Sequence, residues 1–434
     1  MTAMIFFIFI IFTTNVLSAD ELLTYLESAY KNNPTLNAQR ENYKAVKENV
    51  NISRSEFLPS VSISGSQSSQ QNSNRTNRAG TTLSDSSNTS EVQSISIDQK
   101  IFQGFQGYNS IKKSELEAKQ ALLQLKNTEQ QILLQSASAY YDLVYNIKNT
   151  KFNLSNVDLF ERQVESDSSR LQKGEITLTD LAQSESSLAG ANAQFIAAEN
   201  ELLAAKSNFE RIIRLPAPEK IVADNFIKNI SLNFPTDLSV AFAYSEKNNP
   251  KLLLAKLDYK IAQKNVDIEK SKFSPTASIN YTQSQNKDFS SSINEKDQET
   301  LKATVTIPLF KGGENYSSLK KSKFKKEQSN LILQDTINEV ETDTANSWSA
   351  YKSLESVLKA TQAQVKAAEI ANEGITLEYD SGNTRTTLEV IQSRRLLMDA
   401  RISNAIAERN FAISKFELLT IIGELTIENL KKPE

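Results

Sequence analysis

The hydrophobic residues after Gly174 recur every seven positions. Large apolar residues fill one side of this pattern: Leu181, Leu188, Phe195, Leu202 and Phe209. Mostly small residues lie three positions after each of them: Ser184, Ala191, Ala198, Ala205 and Ile212. The second half of the chain repeats the spacing at Ile391, Met398, Ala405, Ala412 and Leu419. This period predicts helices that pack closely as a coiled coil. An ordinary helical bundle is the alternative.

Each of these stretches follows a much longer stretch of helix-forming residues. The chain has no Pro and no Gly between Tyr108 and Lys173, and only Gly374 interrupts the stretch from Glu314 to Ser381. Pro and Gly are the residues that a helix interior excludes. Some 65 residues of helix extend roughly 100 Å. We therefore predict two antiparallel helical hairpins, each with one very long helix, whereas a bundle would need shorter helices and more turns.

Alternating apolar and polar residues precede each long helix. The apolar members are Val61, Ile63, Ile95, Ile97, Ala277, Ile279, Tyr281, Leu301, Ala303, Val305, Ile307 and Leu309. This alternation predicts strands with one apolar face, and the polar stretches 66–90 and 284–298 between them suggest exposed hairpin loops. Four strands cannot close a barrel alone. They form one sheet of a soluble domain or a share of a barrel built by several chains, and the alternation favours the membrane barrel.

The chain is a duplication of one large unit. Asn-Asn-Pro occurs at residues 32–34 and again at residues 248–250, and the residues around both copies are of similar chemical type at corresponding positions. Farther on, the strand-to-helix passages KIFQGF (100–105) and PLFKGG (308–313) correspond. The repeat is much longer than the short period of a solenoid, which is about 20–50 residues. Each copy therefore reads as helix, two strands and a long helical hairpin.

Composition argues against catalysis and for export. The net charge is −3, so the composition lacks the excess of positive charge typical of nucleic-acid-binding proteins. The chain has neither Cys nor His. The commonest general base and metal ligand are therefore missing, and we predict no catalytic residue, metal site or cofactor. The apolar run Ile5–Phe12, with small residues before Asp20, predicts a signal peptide at 1–19. Its lack of Lys or Arg leaves an N-terminal membrane anchor as the alternative.

The duplicated unit and its motifs resemble the TolC family of outer-membrane efflux and secretion channels. Besides the two strand-to-helix passages, the helix turns RLQKGEITLTDLAQSESSL (170–188) and LEYDSGNTRTTLEVIQSRRLL (377–397) are similar to those of the family. The resemblance covers the chain from about Asp20 to Glu424. It implies a mainly α fold with β strands, in which a homotrimer forms a 12-stranded outer-membrane β-barrel continued by a periplasmic α-helical coiled-coil barrel. It also implies a passive exit duct whose partners are a periplasmic adaptor (membrane fusion protein), an inner-membrane transporter and outer-membrane lipid.

The resemblance also places a gate at the helix turns. Family members close it with bonds between a Tyr and an Arg at one turn and a Thr-Asp pair at the other, which correspond here to Tyr379, Arg385, Thr179 and Asp180. Asp180 is also explained as a helix N-terminal residue favoured by the helix dipole.

Two further sets of residues are carried over from the family. Its ring of paired acidic residues corresponds to Glu389 and Gln392, so that one ring of carboxylates is expected instead of two. The sequence does not fix how the second turn aligns with the acidic positions of the family, because this turn is one residue longer than the first. The turn residues Gly174, Glu175, Gly382 and Asn383 are candidates for adaptor contact, or else are solvated turn residues.

The predicted organisation is a signal peptide (1–19), a first repeat (20–215), a linker (216–235), a second repeat (236–425) and a short tail (426–434). The first repeat has strands at about 58–102 and a helical hairpin at about 108–213, and the second has strands at about 274–310 and a hairpin at about 316–422.

Two rival functions stay open at this point. One is a periplasmic coiled-coil adaptor or scaffold without a barrel. The other is an enzyme that uses Asp180 and Glu389, around which the sequence offers nothing that would raise a pKa or bind a substrate.

Overall fold

The computed structural model describes residues 20–218, 234–290, 293–381 and 385–431. The predicted signal peptide, most of the predicted linker, and Gly382 and Asn383 lie outside these residues. The helices are α1 (Asp20–Asn32), α2 (Pro34–Ser55), α3 (Gln106–Gln172), α4 (Leu178–Ile213), α5 (Leu238–Asn248), α6 (Pro250–Ser271), α7 (Glu314–Asp380), α8 (Thr387–Ile421) and α9 (Ile427–Lys431). The strands are β1 (Ser60–Asn72), β2 (Arg75–Thr76), β3 (Thr82–Leu83), β4 (Ser86–Gln103), β5 (Thr276–Ser290) and β6 (Ile293–Thr306).

The duplication predicted from the sequence is present in the order of these elements. Two short helices, a strand pair, a long helix and a shorter helix occur twice, and both long helices, α3 and α7, have 67 residues. The fold is mainly α with β strands, as predicted. No helix in the described ranges contains an apolar stretch long enough to cross a bilayer.

Four of these strands form an antiparallel sheet in the order β1-β4-β5-β6, and β2 and β3 pair separately. The Ser- and Asn-rich stretches expected to be loops belong largely to these strands, because β1 continues to Asn72 and β4 starts at Ser86. The backbone ladder needs no apolar side chains, and serine hydroxyls pair across the strands: Ser64 with Ser94 at 2.8 Å and Ser68 with Ser90 at 2.9 Å. That expectation of loops was wrong for most of their length.

The residues divide into two compact units. One unit comprises residues up to Arg40, Leu125–Leu252 and the chain from Ile337 onward. The other comprises Glu41–Gln124 and Leu253–Thr336, and it contains the sheet.

The first unit has a core built by helices from both repeats. Its fully buried large side chains include Leu22 of α1, Tyr140 of α3, Phe209 of α4 and Phe416 of α8. Aromatic rings meet edge to face here, as Tyr25 does with Phe209 at 5.1 Å between ring centroids. Burying side chains of this size contributes about 1.5–3 kcal/mol each, so this core fixes the helices of the two hairpins against one another.

The heptad positions of the shorter helices include many of their buried residues. On α4, Ser184, Ala191 and Ala198 are buried, and a second core cluster forms where Ala191 meets Val157 and Phe160 of α3. On α8, Met398, Ala405, Ala412 and Leu419 are buried at the same spacing. Small residues allow the closely packed helix pairs that the sequence predicted.

The repeated Asn-Pro step makes the same joint twice. Asn33 Oδ1 accepts from the backbone N–H of Thr35 at 3.0 Å, and Asn33 Nδ2 donates to the carbonyl of Ile212 at 3.3 Å. In the second copy, Asn249 Oδ1 accepts from the N–H of Leu252 at 3.1 Å, and Asn249 Nδ2 donates to the carbonyl of Ile421 at 2.7 Å. Each Asn therefore caps one helix and also binds the end of the hairpin from its own repeat.

Candidate gate at the helix turns

The first turn, between α3 and α4, is closed by glycine. Gly174 has φ +75°, and the N–H of Glu175 donates to the carbonyl of Arg170 at 2.9 Å. This left-handed position and the long hydrogen bond across it end α3, and a side chain at Gly174 would be strained. Arg170 Nε also donates to a carboxylate oxygen of Glu175 at 3.3 Å, which ties the exposed turn to the helix end.

The helix that follows starts with a capping box. The Thr177 hydroxyl accepts from the N–H of Asp180 at 3.3 Å, and Asp180 Oδ2 accepts from the N–H of Thr177 at 2.9 Å and from its hydroxyl at 2.7 Å. These bonds from Thr177 hold the pKa of Asp180 below its usual value. The expectation that Asp180 is a helix N-terminal residue is therefore confirmed, while its role in the latch stays a prediction.

The second turn, between α7 and α8, ends in a capping box of the same kind. Thr386 caps α8, and Glu389 Oε2 accepts from the N–H of Thr386 at 2.8 Å and from its hydroxyl at 3.1 Å. The backbone bond from Thr386 is the main cause that lowers the pKa of Glu389, and the guanidinium of Arg385 adds to it. By their caps, Asp180 and Glu389 occupy equivalent positions in the two repeats.

Arg385 is held by carboxylates of its own hairpin. Its Nε donates to Glu378 at 2.6 Å, and its Nη1 donates to the other oxygen of Glu389, Oε1, at 2.9 Å. Arg385 and Glu378 are exposed. Both oxygens of Glu389 are thus already engaged within one chain.

Tyr379 is the buried member of the predicted gate. Its side chain is 6% exposed, and its hydroxyl donates to Asp167 Oδ1 at 2.9 Å and lies 3.1 Å from the Thr387 hydroxyl. The guanidinium carbon of Arg170 lies 4.5 Å from the centre of the Tyr379 ring. Burial raises the pKa of Tyr379, the bond from Thr387 opposes this rise, and the bond to Asp167 adds to it.

Within one chain, the structure brings the predicted gate residues together only in part. Tyr379 contacts Asp167 of the first hairpin, whereas Asp180 is engaged with Thr177. Thr179 is exposed, and so is Gln392, on the helix that carries Glu389. Among the described residues, no group of acidic side chains could hold a metal ion.

Sequence reasoning missed the polar residues around Tyr379. Asp167 and Ser184 are fully buried, and Gln163 is 5% exposed. One signal was available, because Ser184 is the polar member of an otherwise apolar heptad position. A buried hydroxyl there requires a hydrogen-bond partner, and a search for it leads to Asp167.

Comparison with known proteins identifies this architecture. The family described as outer membrane efflux protein matches residues 25–213 and 244–424. The outer membrane efflux protein BepC of Brucella suis biovar 1 (strain 1330) is 26% identical over 414 residues, which cover 95% of this chain and 87% of BepC. The outer membrane protein TolC of Vibrio cholerae serotype O1 is 24% identical over 420 residues, which cover 95% of this chain and 92% of TolC.

A solved structure shows the same fold. The Campylobacter jejuni CmeC outer membrane channel is similar with a TM-score of 0.81 at 15% identity, covering 94% of this chain and 86% of that chain.

The family match covers both repeats and separates the rival functions. The family consists of channels, is not known for enzymatic activity, and works as trimeric channels with an adaptor and an inner-membrane transporter in tripartite systems. A periplasmic adaptor without a barrel is therefore not favoured. The chain belongs to the outer membrane efflux protein family, and it is an outer-membrane exit duct that extends into the periplasm.

Proposed function

We propose that this duct is a homotrimer whose aperture is gated at the helix turns of its two hairpins. Each chain contributes two structural repeats, 20–215 and 236–425, joined by the linker 216–235 and preceded by the signal peptide 1–19. Three chains then place six similar hairpins around one pore. The energy for transport comes from the inner-membrane transporter, so the duct itself acts passively and without a cofactor.

The observation that carries this proposal is the weak hold on Arg385. The guanidinium is exposed, and its partners Glu378 and Glu389 belong to its own hairpin. Solvent screens such ion pairs, so they contribute little to stability and exchange partners readily. In the closed trimer, Arg385 leaves these carboxylates for the Thr179 and Asp180 pair at the other turn. An Arg–carboxylate bond is directional and charge-assisted, which suits a latch that an adaptor opens by competition.

The adaptor binds at the turns themselves. Gly174 and Glu175 are exposed, and a Cβ added to Gly174 would meet nothing within 4 Å. The corresponding positions of the second turn are Gly382 and Asn383. An adaptor that inserts between the two turns would displace Arg385 from its carboxylate.

Planar-bilayer conductance of the purified trimer tests the latch. We expect Arg385→Gln to raise the resting conductance severalfold, because the charge-assisted bond at the turn is lost. Arg395→Gln is the matched control, since Arg395 lies on α8, the helix that follows Arg385, is more exposed than Arg385 and contacts Asp399 only at 3.9 Å. Equal conductance of wild type and Arg385→Gln, or an equal rise in both variants, would refute the assignment of Arg385 to the gate.

A further inference from the structure

A fully buried carboxylate lies between the two hairpins, next to the predicted latch. The side chain of Asp167, on α3, has no exposed surface. Its Oδ2 accepts from the Ser184 hydroxyl at 2.5 Å, and its Oδ1 accepts from Gln163 Nε2 at 3.0 Å and from the Tyr379 hydroxyl at 2.9 Å. A buried carboxylate is costly unless it is hydrogen-bonded, and these three donors satisfy it.

The donors come from both hairpins. Gln163 and Ser184 belong to the first hairpin, formed by α3 and α4, whereas Tyr379 belongs to α7 of the second. The single hydroxyl proton of Tyr379 is given to Asp167, so Thr387 of α8 must donate its own proton to the Tyr379 oxygen, 3.1 Å away. The hydrogen bonds therefore form one chain from α8 through α7 to α3 and α4.

Tyr379 is also fixed by its ring. The Arg170 guanidinium covers the ring face at 4.5 Å, and the side chain is buried, so the hydroxyl has one favourable direction. If the end of the second hairpin moved outward, Tyr379 would leave Asp167 with one donor fewer in a site closed to water. Such a motion breaks a hydrogen bond to a charged group, which disfavours it by roughly ten- to a hundredfold.

We propose that Asp167 is a positioning residue of the gate. It holds Tyr379, and through Tyr379 it holds the end of α7 and the start of α8, in the closed arrangement. This clamp acts within one chain and is buried, whereas the Arg385 latch is exposed and acts between turns. The inference rests on the proposed gate but assigns it a separate element, which an opening motion has to break from inside the hairpin pair.

Two variants that keep the shape of the cluster test the clamp. Tyr379→Phe removes one hydroxyl and leaves the ring under Arg170, and Asp167→Asn keeps the size of the side chain while removing its charge. We expect either change to raise the open population about tenfold or more in bilayer recordings. We also expect faster hydrogen exchange at the end of α7 and in the first turns of α8. Tyr351→Phe is the matched control on α7, because no hydrogen bond of its hydroxyl is found within the described chain.

A double-mutant cycle separates the clamp from the latch. If both residues act through one bond, the double variant Asp167→Asn with Tyr379→Phe should raise the open population no more than the stronger single variant does. The rise caused by Arg385→Gln should instead multiply with the rise caused by either of these variants. The proposed clamp is refuted if Tyr379→Phe leaves both conductance and exchange as in wild type. It is also refuted if the rises in open population caused by Tyr379→Phe and Asp167→Asn multiply in the double variant. If Asp167→Asn fails to form trimers, the comparison of conductance and exchange between Tyr379→Phe and Tyr351→Phe decides the question. If the gate itself is wrongly placed, conductance stays unchanged in all variants while Tyr379→Phe still accelerates exchange.

Discussion

Gly423 and Gly174 offer a matched pair of substitutions at the ends of the two hairpins. Both have positive φ, +78° for Gly423 and +75° for Gly174. A Cβ added to Gly174 would meet nothing within 4 Å, whereas a Cβ added to Gly423 would lie 2.2 Å from the backbone oxygen of Asn248. Changing each glycine to Ala therefore introduces the same backbone strain, and only Gly423→Ala adds a collision with another part of the backbone.

The expected difference can be worked out from these contacts. Alanine in the left-handed region costs about 1–2 kcal/mol, which is the whole effect at Gly174. At Gly423 the end of α8 must also withdraw by about 1 Å to restore an ordinary C···O contact. That withdrawal weakens the 2.7 Å bond from Asn249 to Ile421 and the 2.6 Å bond from Asn248 to Glu424. With about 1 kcal/mol for each bond, Gly423→Ala should cost roughly 3–4 kcal/mol.

Inactivation rates of the purified trimer measure this difference, because membrane channels seldom unfold reversibly. Gly174→Ala should retain most of the wild-type half-life at elevated temperature, and Gly423→Ala should lose trimer much faster. Hydrogen exchange should locate the damage at residues 248–249 and 421–425. Equal half-lives for the two variants, or exchange changes confined to the hairpin turns, would show that the close approach of Gly423 to Asn248 is not what requires glycine.

Two further predictions concern the carboxylates of the turns. Because Gln392 leaves Glu389 as a single ring of carboxylates, divalent cations should block the channel weakly: Gln392→Glu should strengthen the block, Glu389→Gln should abolish it, and an unchanged block in Glu389→Gln would contradict the acidic ring. The folded-state pKa values of Asp180 and Glu389 are lowered, so their caps stabilise fully above the unfolded value of about 4 and are lost as pH falls through the lower folded values. Exchange protection in the first turns of α4 and α8 should therefore decline only below about pH 4 in wild type, and a decline already at pH 6 would refute this assignment.

The helices and the duplication were readable because their signals are local. Pro and Gly mark the helix ends, and the absence of both over long stretches predicted α3 and α7 closely. The extent of the strands was not readable, because residues 66–90 have neither apolar alternation nor β-branched runs over most of their length. Their pairing depends on a backbone ladder with a partner strand, which a local pattern does not report.

The candidate site divides in the same way. The capping boxes at Thr177 and Thr386 are short sequence patterns, and they fix Asp180 and Glu389 at equivalent positions. The contact between Asp167 and Tyr379 joins residues 212 positions apart, so no spacing rule could find it.

The most informative difference between the repeats lies in the helix seams behind the turns. Ser184 and Ser393 are both buried and stand at the same distance from their caps. Ser184 donates to the carboxylate of Asp167, whereas Ser393 donates to the neutral side chain of Asn372 at 3.0 Å. A neutral amide carries no charge to compensate, whereas a buried carboxylate does and needs further donors. The first hairpin therefore recruits Tyr379 from the second to complete its buried carboxylate, and this bond joins other contacts between the two hairpins, such as that of Arg394 Nη1 with the carbonyl of Leu159 at 3.3 Å.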